Sequence, residues 1–337
     1  MSSLTFTEQT QQIPIVNLSE LDPSLPGGDQ WEAARAAVAA ALRLHGCFDA
    51  IYAPLSPELR DSLFCHAVSE LLALPLEVKL RNSSDEPFQG YIGQIPNMPY
   101  ESLRVDSAPS PSAVEEFTQL MWPQGNPTFR NAVIAFTRPL QDLMKIVHRM
   151  ILESFGVESL YESFQSSISH GLRLSEYGVP FDKETKIAMV SHIDPNLMTI
   201  VCQHEVEGLE VKTADGDWIK VVPSPNSVTV MIGQAFQVHI VGKFDVLDRA
   251  WTNGRLRAPV HRVKMTGDEG RFSALYGSRP NYNSIVQTPE EFINEENPRL
   301  YRPYNYTEYM KFRYSDEGKG HKDPFISFCG IGQETTA

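Results

Sequence analysis

The sequence predicts a mainly β protein with flanking helices, built as an antiparallel sandwich or barrel, of which the jelly roll is one form. Two observations carry this. From His170 onward, eight short β-rich segments follow one another within about a hundred residues, with no helix of length between them. Before them, by contrast, apolar residues recur at helical spacing.

Taken in order, Ile13 to Leu18 alternates as a short strand, and a Pro/Gly turn at Leu25 to Gly28 leads into an Ala-rich helix over Trp31 to Leu44. Gly46 to Tyr52 reads as a strand. Ser56-Pro57-Glu58 supplies a cap, a first-turn proline and an early acid for a helix reaching Leu72. Asn82 to Pro111 reads as an irregular excursion, and Asn131 to Phe155 as a long helix. The expected strands are Gly171 to Tyr177, Ile187 to Ser191, Met198 to Gln203, Leu209 to Thr213, Trp218 to Val222, Ser227 to Ile232, Pro259 to Lys264 and Arg271 to Tyr276. Asp215-Gly216 and Pro223-Ser224-Pro225 mark turns between them. A last helix is expected over Asn305 to Tyr314, followed by a mobile polar stretch from Ser315 to Asp323.

The 337 residues, 42% hydrophobic, suffice for one large domain or a core domain with a helical elaboration. With 29 basic residues against 42 acidic ones, the formal charge of -13 repels polyanions, so no nucleic-acid partner is expected. Met1 to Gln12 lacks the pattern of a secretory signal and no segment approaches membrane-spanning length, so a cytoplasmic monomer that does not engage a membrane is expected. Cys47, Cys65, Cys202 and Cys329 form no C-x-x-C, and reduced thiols are expected.

The chemistry concentrates in the β-rich half. Ser191-His192-Ile193-Asp194 places an imidazole and a carboxylate two residues apart, which at a strand end brings both to one face. His261, in Pro259-Val260-His261-Arg262-Val263, offers a third ligand. Two imidazoles and one carboxylate leave positions open on a divalent iron for a chelating cosubstrate and O2. A lone His-x-Asp recurs by chance in many folds, but here the downstream context adds to it. Arg271-Phe272-Ser273 puts a guanidinium and a hydroxyl on one strand face, suited to gripping a carboxylate, and Tyr177 offers a phenol beside them.

These residues, with Ile13-Pro14-Ile15-Val16, His45-Gly46-Cys47-Phe48, Phe117 to Pro123, Gly125-Asn126-Pro127, Asp194-Pro195-Asn196, Gly216 to Ile219 and Thr252 to Leu256, make a chain that resembles the plant 2-oxoglutarate-dependent dioxygenases. It is most similar to their AOP-like group, named after glucosinolate side-chain enzymes. The resemblance implies a double-stranded β-helix core of the jelly-roll, isopenicillin N synthase-like type, with a helix-rich region over 1–165, the core over 166–285, and a C-terminal helix and tail over 286–337. It also implies Fe(II) on His192, Asp194 and His261, with 2-oxoglutarate on Arg271, Ser273 and Tyr177. O2 is the oxidant and ascorbate the reductant that the resemblance implies. Hydroxylation, demethylation or desaturation of a small, specialised metabolite would release succinate and CO2. Two alternatives share the fold: a cosubstrate-free Fe(II) oxidase, and a small-molecule-binding homologue with impaired turnover.

Two substitutions and an insertion depart from the family pattern. Gly233-Gln234 stands where relatives carry Gly-Asp, and Ser175 where an Asn is common. Roughly a dozen extra residues near His239 to Ala250 interrupt the approach to His261, either as an added surface loop or as retained noncoding sequence. His45, His66, His148 and His170 read as structural histidines, and Trp122, Trp218 and Trp251 as packing residues. The Met121 segment borders the pocket in relatives, so it is expected to form part of the wall here.

Overall fold

The computed structural model describes residues 12–236, 256–295 and 298–331. The extra segment from His239 to Ala250, and Trp251 after it, lie outside the described residues.

Two facing sheets form the core. The larger joins β1 (Ile15–Asn17), β2 (Cys47–Ile51), β3 (Tyr100–Asp106), β4 (Ile168–Tyr177), β6 (Met198–Gln203), β9 (Ser227–Ile232) and β11 (Arg271–Pro280), in the order β1-β2-β9-β6-β11-β4-β3. The smaller joins β5 (Ile187–His192), β7 (Leu209–Lys212), β8 (Trp218–Lys220) and β10 (His261–Lys264), in the order β5-β10-β7-β8. Among the described residues only the β1/β2 pair is parallel. All eight strands expected after His170 are present, which makes this the jelly-roll core that the sequence pattern alone left open among β architectures.

The helices lie mainly in the N-terminal part and back the outer face of the larger sheet. Helix Pro127–Ser154 begins with Pro at N1, and the Asn126 side chain accepts from Phe129 N at 2.9 Å, meeting one of the donors a helix start leaves bare. Its buried stripe of Phe136, Leu140, Leu143 and Val147 packs into the main hydrophobic cluster with Leu172, Leu174 and Ala274 of the sheet. Asp29–Leu44 and the helical run from Pro57 to Leu72 pack against this long helix, the latter capped by Ser56 as expected. Among the described residues no helix is long and apolar enough to cross a membrane.

Gly46 ties the N-terminal region to the site. Its φ of 70° is left-handed, and a Cβ there would collide with the carbonyl oxygen of Arg257. Glycine therefore lets β2 press against the chain that leads into β10 and His261.

Three expectations need correction. Asn82 to Pro111 is not wholly irregular, because β3 pairs along its length with β4. Its alternation is short and set among Pro, Ser and Asn residues: Leu103 and Val105 join the main hydrophobic cluster, while Tyr100 and Arg104 face a cavity. Ser315 to Asp323, expected to be mobile, contains the helix Asp316–Gly320, for which Ser315 Oγ accepts from Gly318 N. Asp323 caps the next helix, Pro324–Cys329, and Phe325 buries itself against Tyr304 and Tyr309. Finally, Met121 is buried in the helical core and Trp122 packs on Phe129, and neither lines the cavity.

Candidate metal and cosubstrate site

A cavity of about 410 Å³ opens between the two sheets. His192 ends β5, Asp194 follows it in the loop, and His261 begins β10, where it is the register partner of His192. The antiparallel pairing thus brings together two imidazoles that stand far apart in sequence. One ligand atom from each of the three lies within 4.8 Å of the others, and Asp194 Oδ1 is 3.7 Å from His192 Nε2 and 3.8 Å from His261 Nε2.

The surroundings fix which atoms are free. His192 Nδ1 donates to the Val190 carbonyl at 2.8 Å and His261 Nδ1 to the Pro259 carbonyl at 3.2 Å. A carbonyl only accepts, so each Nδ1 bears the proton and each Nε2 presents its lone pair inward. Enclosure in the cavity wall, then the neighbouring His261, lowers the His192 imidazole to about 4, which keeps it neutral. Burial by itself raises the Asp194 carboxyl, but the two imidazoles and the Thr199 hydroxyl outweigh it and hold the group below its ordinary value. Thr199 Oγ1 donates to Asp194 Oδ2 at 2.6 Å and accepts from Asn196 Nδ2 at 2.7 Å.

Across the cavity, Arg271, Ser273, Leu275, Gly277 and Arg279 line the wall from one face of β11, as period-two alternation requires. Arg271 is 1% exposed, lies opposite Tyr177 in the β4 register, and has its guanidinium 4.8 Å from that ring's centre. Gln203 Oε1 accepts from Arg271 Nη2 at 3.0 Å. Arg271 Nε, Arg271 Nη1 and Ser273 Oγ are buried with no hydrogen-bond partner. Leaving such groups unmet costs about 1–3 kcal/mol each, so this wall is suited to an anion that accepts from all three.

Sequence reasoning missed Thr199 and Gln203. Thr199 looks like an ordinary strand residue, and Gln203 like a strand-end polar, until the fold sets them beside Asp194 and Arg271. The C-terminal helix Tyr306–Tyr314 supplies part of the wall, and Phe88 to Met98 supply another part, whereas the Met121 segment does not.

Residues 168–280 match the 2OG-Fe(II) oxygenase superfamily, and residues 13–106 match the family described as non-haem dioxygenase in morphine synthesis N-terminal. The chain is 39% identical over 326 residues to a probable 2-oxoglutarate-dependent dioxygenase, AOP1.2, of Arabidopsis thaliana, a match that covers 95% of this chain and 96% of the relative. It belongs to the 2-oxoglutarate and Fe(II)-dependent dioxygenases. Among solved structures, this dioxygenase is similar to the rice dioxygenase for auxin oxidation, with a TM-score of 0.76 and 26% identity over 95% of this chain and 100% of the other. The fold is shared with the Arabidopsis auxin-oxidation dioxygenase solved with 2-oxoglutarate, at a TM-score of 0.73 and 24% identity, covering 86% of this chain and 100% of that one. The dioxygenase uses Fe(II) and 2-oxoglutarate, and these likenesses favour neither the cosubstrate-free oxidase nor the impaired binding protein.

Proposed function

We propose that this dioxygenase hydroxylates, demethylates or desaturates a small metabolite, with iron on His192, Asp194 and His261 and the far carboxylate of 2-oxoglutarate on Arg271, Ser273 and Tyr177. The observation that carries the reading is the pairing, in one cavity, of a His-Asp-His cluster with a buried guanidinium and hydroxyl whose donors lack acceptors. When bound, the iron supplies the oxidising chemistry, in which 2-oxoglutarate and O2 become succinate and CO2 as the metabolite is oxidised.

The chain's own part is to position and to exclude water. Val190 and Pro259 carbonyls hold each ring in the tautomer that offers Nε2, and Thr199 turns the Asp194 carboxylate towards the rings. Gln203, itself held by Val221 O and Leu209 N, aims Arg271 along the strand face. Apolar Ile92, Ile95, Met98, Val263 and Leu275 surround these groups and lower the local polarity, which strengthens each charged contact. The choice among the three outcomes lies with how the metabolite is presented, and the metal ligands are common to all.

The test is succinate release by purified protein supplied with Fe(II), 2-oxoglutarate and O2, combined with an untargeted comparison of metabolite mixtures with and without the enzyme. Succinate that requires all three additions, with one metabolite consumed, is expected. Turnover with ascorbate and O2 but no 2-oxoglutarate would overturn the proposal.

A further inference from the structure

The cavity holds more positive charge than the cosubstrate uses. Among the described residues, Arg104, Arg173, Arg271, Arg279 and Arg313 line it, against the single carboxylate of Asp194. With Arg271 assigned to 2-oxoglutarate, four guanidiniums remain.

Their partners are mostly neutral. Arg173 donates to the carbonyls of Gly90 and Phe88 and to Ser102 Oγ, and Arg313 to Gln234 Oε1, Tyr309 Oη and the Ile193 carbonyl. Arg104 pairs with Asp106 at 2.8 Å, while Arg279 reaches the same carboxylate only at 3.7 Å. One half-exposed aspartate is therefore shared between two arginines, and among the described residues Arg173 and Arg313 have no carboxylate within ion-pair reach. Arg279 is 6% exposed, rests on the Tyr282 ring with its guanidinium 3.7 Å from the ring centre, and leaves Nε and Nη1 buried without an acceptor. Desolvating a cation with unmet donors is costly, and an incoming oxyanion relieves it.

The fold places this cluster within reach of the metal ligands. Arg104 and Arg173 are register partners on β3 and β4, and the Arg104 guanidinium lies over Gly171, where any Cβ would collide with it. Gly171 pairs with Gly277, and Gly277 with Thr199, whose hydroxyl holds Asp194. Two strand spacings, roughly 10 Å, thus separate Gly171 from Thr199. That span suits a small organic molecule with its acid group at one end and its reacting carbon at the other.

Building on the dioxygenase reading above, we infer that the substrate is a small organic oxyanion, a carboxylate or a sulfate, whose charged group is received by Arg279 and Arg104, with Arg173 behind them. The remaining walls, Phe88, Ile92, Ile95 and Met310 among them, take its apolar body. The receiving cluster is distinct from Arg271, so cosubstrate and substrate anions bind at separate guanidiniums.

The test uses the full chain loaded with Zn(II), which is redox-inert, and saturating 2-oxoglutarate, so that Arg271 is occupied. Equilibrium dialysis compares phenylbutyrate with its methyl ester, and phenylbutyl sulfate with phenylbutanol. At least one anion should bind about tenfold more tightly than its neutral counterpart, as a charge-assisted contact to a buried cation predicts, and the stronger pair identifies the acid group. In Arg104→Gln/Arg279→Gln the preference should fall to within about twofold, whereas Arg279→Lys should keep most of it. If the double variant does not fold by circular dichroism, Arg279→Gln alone gives the same comparison. Equal binding of anion and neutral probe, no binding of either anion, or a full preference in a folded Gln variant overturns the inference. Succinate release from the Fe(II)-loaded protein without probe is read separately, so its failure counts against the dioxygenase reading and leaves the measured anion preference standing.

Discussion

His192 and His261 face each other as register partners across β5 and β10, with ring centres 4.2 Å apart and both Nδ1 atoms turned away onto backbone carbonyls. Two imidazoles held this way gain little from each other. Their placement makes sense around a shared cation, and Asp194 provides the charge to complete it.

Replacing any one of the three should therefore abolish iron binding without unfolding the chain. His192→Ala, Asp194→Ala and His261→Ala are each expected to retain their circular dichroism and lose the bound Fe(II) seen in the unaltered protein by metal titration. His239→Ala should leave iron binding unchanged, because the cluster is complete without it. Unchanged stoichiometry in the first set would rule the assignment out.

Thr199→Val removes the hydroxyl that holds Asp194 Oδ2 while keeping the side chain's volume. Supporting partners of this kind are worth roughly 10–100-fold in metal affinity. Iron affinity should fall by that factor, with the 2-oxoglutarate requirement at saturating iron little changed. Competition with a chelator measures the first and succinate release the second.

Arg271→Ala should act in the opposite sense. The loss of a buried charge-assisted contact, about 1.5–3 kcal/mol, corresponds to roughly a 10–100-fold rise in the 2-oxoglutarate concentration needed for half-maximal succinate release. Iron affinity should remain near that of the unaltered protein. Gln203→Leu, which frees the guanidinium from the Gln203 amide oxygen, should shift the same parameter by a smaller amount.

His170 predicts how stability depends on pH. Burial lowers its imidazole from about 6.5 to about 4, where it stacks on Tyr276. Since the unfolded chain takes up the proton more readily than the folded one between those values, the contribution is present in full above pH 6.5 and is lost progressively as the pH falls to about 4. The urea midpoint should decline over that window, and His170→Gln should flatten the decline. A midpoint that follows the same curve in the variant would exclude His170 as a source.

Much of the architecture was legible because the relevant signals are local. The Asn126-Pro127 start of the long helix, the cap at Ser56 and the strands between Met198 and Ile232 each show in a window of a few residues. β3 was not legible because its short alternation, Ser102 to Asp106, lies inside a stretch whose Pro, Ser and Asn content reads as loop. The helix Asp316–Gly320 was hidden because it is a single short turn of polar and glycine residues whose start is held by the Ser315 cap.

The sequence by itself determined the set of chemical groups: a His-x-Asp pair, a later histidine, and an Arg-x-Ser whose spacing puts both side chains on one face. Strand alternation is a property of neighbours, so these groupings survive in any β fold that uses the segments. Tertiary structure alone decided what surrounds them. Thr199 meets Asp194, Gln203 meets Arg271, and Arg279, Arg104 and Arg173 gather at one end of the cavity, because the register of β6, β11, β4 and β3 aligns residues that are far apart in the chain. Register is a pairing between distant strands, and no single segment encodes it.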